Sequence, residues 1–161
     1  MASFSNPFLP TCIGGVLLVA SWFVAARAAE VEPPAPRLER EGQSLKAVCA
    51  KCHNLQIVMD TPMSYDDWHE TVQKMVDRGA SGTDEQFDDI MDYLHRTMTT
   101  INVNTAPVDE LEIVLNVSET TGQVIIARRS TQKFTGLTDL KSVPGVDTST
   151  VDAKARLIFF K

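Results

Sequence analysis

An all-α protein in two small parts, a three-helix unit followed by a shorter helical unit with tight turns, is what this 161-residue sequence predicts. Three observations carry that prediction. Apolar residues between Leu38 and Met98 recur at the spacing of helices that bury one face. Capping residues bracket those runs. The charge also changes near residue 100: Glu30 to Thr100 holds 14 acidic against 7 basic side chains, a net of −7, whereas Ile101 to Lys161 holds 7 of each. The expected domains are therefore 38–100 and 101–161.

The apolar run from Cys12 to Ala26 is too short for a comfortable membrane span, which needs ~20 residues. It has the length of a secretory hydrophobic region, and Ala26-Arg27-Ala28 supplies a small-x-small cleavage pattern. Residues 1–28 are expected to be a signal peptide and the mature protein periplasmic. No Lys or Arg precedes the run, so contact with a membrane is expected only if the signal stays uncleaved as an anchor. Cys12 lies inside the signal, which leaves Cys49 and Cys52 as the thiols of the mature chain. Residues 29–37 form a linker, and its stretch Val31 to Pro36 is too proline-rich to continue a helix.

The first helix is expected over Leu38 to Cys52, with Leu45, Val48, Cys49 and Cys52 on one face. Ser64 is a good N-cap for a second helix over Tyr65 to Arg78, stopped by Gly79. Thr83-x-x-Gln86 is a capping box opening a third helix through Met98, with Phe87, Ile90, Met91, Leu94 and Met98 on its apolar face. About 65 residues make a marginal core alone, so a staple is expected.

The staple is indicated by Cys49-Ala50-Lys51-Cys52-His53, the attachment signature of one covalent c-type haem. On a helical turn the two sulfurs reach the two vinyl groups of one haem, and His53 is directed at the iron. Zinc needs further ligands, and adjacent Cys52 and His53 fit poorly around one tetrahedral ion. A thioredoxin-like pair would follow a strand, whereas the residues before Cys49 read as helix. A second axial ligand would come from Met59, Met63, Met75, Met91 or Met98, with His69 and His95 as imidazole alternatives. Trp68, Val72 and Met75 fall on one helical stripe, Met91 and Met98 read more simply as core, and His69 points off the stripe.

The helix entering C-x-x-C-H and the Tyr93-Leu94 pair on the last helix resemble a small class I cytochrome c, in which the first and last helices cross at a glycine, here Gly42. Trp68, Val72, Met75, Gly79 and Ala80 resemble haem domains that serve periplasmic dehydrogenases. That resemblance implies Met75 as the distal ligand, with Met98 and Met63 next. It also implies a non-enzymatic electron carrier whose redox partner is a periplasmic dehydrogenase or a membrane electron-transfer complex.

From Ile101 the segment resembles tandem helix-hairpin-helix modules of the bacterial competence DNA-receptor type, through Val103-Asn104-Thr105-Ala106, Glu110-Leu111, Ile125-Ile126, Phe134, Asp139-Leu140 and Val143. In DNA-binding members each hairpin reads P-G-hydrophobic-G. Here the first is Leu115-Asn116-Val117-Ser118 and the second is Pro144-Gly145-Val146-Asp147. The lost glycines, the carboxylate of Asp147 and the zero net charge argue against nucleic acid. Arg128, Arg129, Lys133 and Lys141 are expected on a solvated face. Protein docking is the preferred reading, and the alternative is an exported DNA-binding helix-hairpin-helix protein with an accessory haem domain.

Overall fold

Proline lacks an N–H, and the first turn of a helix has no acceptor for one, so prolines fit there without loss. In the computed structural model, which describes residues 34–161, helix α1 accordingly spans Pro34–Cys49 and takes in Pro34 and Pro36. Within the expected linker, residues 34–36 are therefore helical, a correction of the expectation that they stay outside the helix. The expected signal peptide, residues 1–28, and the part of the expected linker before Pro34 lie outside the described residues. The helix stops at Cys49, not Cys52. The N–H groups of Cys52 and His53 both donate to the Cys49 carbonyl, at 3.3 and 3.1 Å, and close a separate turn.

A one-turn helix absent from the sequence reading, α2, follows at Gln56–Met59. Helix α3 spans Tyr65–Asp77, and the Ser64 hydroxyl accepts from the Asp67 N–H. Gly79, at φ 99°, provides the left-handed residue that ends it. Helix α4 spans Asp84–Thr97 behind a complete capping box: the Thr83 hydroxyl accepts from the Gln86 N–H while Gln86 accepts from the Thr83 N–H. Helices α1 and α3 both pack on α4. Leu45, Val48, Trp68, Ile90, Leu94 and Met98 form the buried core between them.

Ile101–Asn102 form a short strand, β1. Four helices follow: α5 Val108–Leu115, α6 Glu119–Thr131, α7 Leu137–Lys141 and α8 Thr148–Ala153. A 3-10 turn at Ala155–Leu157 leads into β2, Ile158–Phe159, which pairs in parallel with β1 through Ile101↔Ile158 and Asn102↔Phe159. A second core fills this part, centred on Val103, Leu111, Val114, Leu115, Ile125 and Leu140. The described residues are thus mostly helical, as the all-α expectation has it, and the strand pair is the departure. Both cores lie within one compact unit, Glu32–Lys161. Among the described residues no helix is long and apolar enough to cross a membrane.

Candidate functional site

The turn after α1 carries the Cys49–His53 motif to the mouth of an apolar cavity of about 270 Å³. Cys49 and His53 line it from one element, and Ile57, Val58 and Thr61 line it from α2 and the residue pair beyond. Trp68, Thr71, Val72 and Met75 come from α3, Ile90 and Leu94 from α4, and Met63 from the loop between α2 and α3. The expected stripe of Trp68, Val72 and Met75 therefore faces the cavity as one set. Cys52 does not line it and is exposed, while Cys49 is half-buried.

The methionines sort clearly. Met63 and Met75 present thioethers to the cavity that holds His53. Met59 packs against the first core, Met91 lines a separate cleft with His69 and Phe87, and Met98 is buried in the core itself. Met63 is the more firmly held of the two cavity methionines. Its N–H donates to the Met98 carbonyl at 3.3 Å, its carbonyl accepts from the Thr100 N–H at 2.8 Å, and the Thr71 hydroxyl approaches its sulfur at 3.5 Å. Sequence alone offers no signal for this, because the bridge joins residues far apart in the chain.

The histidines outside the motif stay away from the cavity. His95 is buried and its ring stacks on Tyr65 at 3.8 Å, with the exposed His69 ring at 5.1 Å. Burial first, then the neighbouring His69, pulls His95 down to about 4, so it is neutral near pH 7.

The chemistry of the lining separates the candidate cofactors. Burial pushes the Cys49 thiol up, opposite to the lowered pKa of a redox-active C-x-x-C. Among the described residues no group of three or more His, Cys, Asp or Glu side chains is placed to hold a metal ion by itself. One thiol, one imidazole and two thioethers line the apolar cleft, with the exposed Cys52 on the turn beside it, a set that fits a covalently attached haem in donor type. The walls are also apolar enough to take its ring.

In the second part, each hairpin turn carries the start of its following helix. After α5, Asn116 adopts the left-handed conformation at φ 54°, and the Ser118 hydroxyl accepts from the Thr121 N–H to start α6. In the second hairpin, Gly145 sits at φ 88° hard against Thr121, where a Cβ would collide with the threonine side chain. Asp147 caps α8, its carboxylate accepting from the N–H groups and the hydroxyls of Ser149 and Thr150. Those bonds hold it down to about 2. Two N–H groups at the start of α8 therefore already have an anion bound to them.

Of the four basic residues expected on a solvated face, Lys133 is exposed, Arg128 and Lys141 are partly exposed, and Arg129 is the correction. Arg129 turns inward and donates to the carbonyls of Val103 and Ala106 at 2.8 and 2.7 Å. Arg128 donates to the Asp139 carbonyl and the Ser142 hydroxyl and lies over the Phe134 ring at 4.9 Å. Lys141 pairs with Asp152, and Lys154 donates to the Val114 carbonyl.

With this geometry in view, comparison with known proteins places the second part. Residues 97–158 match the family model described as the helix-hairpin-helix motif, starting slightly before the expected boundary at 101. No curated protein matches the chain, and no solved structure does. The motif in residues 97–158 is therefore what the comparisons support, and they bring no cytochrome match for the first part.

Proposed function

We propose that this chain is an electron carrier that holds one haem c covalently in its first part and docks to a redox partner through its second. The observation that carries the reading is the convergence of Cys49, His53, Met63 and Met75 on one apolar cavity. Cys49 and Cys52 would form the thioethers, His53 would be the proximal ligand, and Met75 is the preferred distal ligand with Met63 beside it. When bound, the haem iron would supply a one-electron couple, and methionine with histidine is the pairing that raises its potential. Trp68, Ile90 and Leu94 exclude water from the inner side of the cavity. Export to the periplasm, which covalent haem attachment implies, belongs to the same proposal. The deciding experiment is maturation in cells with c-type haem machinery, followed by acid-acetone extraction. Retained colour with one haem per chain supports the reading, and a colourless or zinc-containing protein overturns it.

A second reading is favoured by the family match: binding of nucleic acid through the helix-hairpin-helix part. The comparisons speak for this reading and are silent on haem. Against it stand the capped hairpins and the internal use of Arg128, Arg129, Lys141 and Lys154. A duplex titration, described below, separates the two.

A further inference from the structure

Met98 follows α4, and its carbonyl lies past the last intrahelical donor, so it must find partners elsewhere. It finds two, and both belong to the cavity wall: the indole Nε1–H of Trp68 at 3.3 Å and the backbone N–H of Met63 at 3.3 Å. The Met98 carbonyl is thus an acceptor shared by Trp68 and Met63. Its side chain, only 1% exposed, is met from the second part: the Arg156 guanidinium approaches its sulfur at 3.7 Å. Arg156 sits on the 3-10 turn, just before β2, which pairs with the strand that begins three residues after Met98.

We propose that Arg156 is a positioning residue for the cavity, acting through Met98 on Trp68 and Met63. The inference rests on the haem reading for its functional meaning, because it makes the haem site sensitive to whatever engages the helix-hairpin-helix part. The backbone ladder Ile101↔Ile158 holds the two segments together without Arg156, so losing the side chain removes its contact on the Met98 sulfur while the fold persists.

The test has one arm that needs no haem. In the full chain with Trp22→Phe, Trp68 is the sole indole, and its Nε1–H exchange with solvent reports the Met98 carbonyl bond. Arg156→Gln is expected to speed that exchange roughly tenfold, Arg156→Lys to restore part of the protection, and Arg128→Gln to leave it unchanged. In haem-loaded protein, Arg156→Gln is expected to shift the reduction potential and Arg128→Gln is not. Met98→Leu keeps the carbonyl and removes the sulfur, so it should act like Arg156→Gln, and combining the two should add nothing. If Arg156→Gln fails to fold, Met98→Leu decides alone. Unchanged exchange together with an unchanged potential overturns the proposal. A wild-type chain that takes up no haem overturns the proposed function instead, and leaves the exchange rates to judge the positioning role.

Discussion

Gly42 of α1 faces the ring of Tyr93 on α4 so closely that a Cβ at position 42 would lie 3.3 Å from Tyr93 Cε2. The two helices approach there because glycine presents no side chain. Next to this contact, Glu41 is fully buried and its nearest cation is Arg96, at 3.4 Å without hydrogen-bond alignment. Burial pushes the Glu41 carboxyl up despite that guanidinium.

Gly42→Val should therefore force α1 away from α4 and destabilise the protein by about 1–3 kcal/mol, the usual cost of overpacking. Urea unfolding measures it, and a variant as stable as the parent would show that the crossing tolerates bulk.

Cys49→Ala with Cys52→Ala should abolish covalent haem while leaving the helical signal of the second part in place. Pigment in the denatured double variant would mean that the attachment lies elsewhere.

With Met75 as distal ligand, the oxidised protein should show a weak near-infrared sulfur-to-iron band that Met75→Ala removes. Met63 shares the cavity, so persistence of the band in Met75→Ala and its disappearance in Met63→Ala would move the assignment to Met63.

His95 gives a pH prediction. Its pKa is lowered on folding from an ordinary 6.5 to about 4, chiefly by burial and then by His69, with Asp92 opposing and Arg96 assisting. Between those values the unfolded chain binds the extra proton, so stability is full above pH 6.5 and falls progressively as pH drops toward 4. The loss is of order 3 kcal/mol at most. His95→Phe, which keeps a ring against Tyr65, should flatten the dependence in that window, and urea midpoints at pH 7, 6, 5 and 4 will show whether it does.

Duplex DNA should not bind in the micromolar range at physiological salt, whereas ordinary non-specific binders reach ~10⁻⁴–10⁻⁶ M. An anisotropy titration of the chain settles this. Micromolar affinity that weakens steeply with salt would restore the nucleic-acid reading.

Much of the first part was legible because its signals are local. The Ser64 cap and the Thr83–Gln86 box close hydrogen bonds within three residues. The C-x-x-C-H turn and the Trp68, Val72, Met75 stripe likewise follow from helical spacing. The −7 charge of the first part needs no structure at all. The proline stretch misled for a related reason: a proline inside a helix and one at its first turn read alike until the start of α1 is known.

Only the tertiary structure decided which methionines share a cavity with His53. A helical stripe fixes direction around one axis, but not which other segment stands opposite. Met63 enters the cavity because its backbone pairs with residues 98–100, whereas Met98, at the end of α4, is buried in the core. The same holds for Arg129, expected on a solvated face yet satisfying the carbonyls of Val103 and Ala106, and for Lys154, which donates to the Val114 carbonyl. Those carbonyls need donors because the chain has buried them. Burial is a property of segments brought together from distant positions, which no local pattern records.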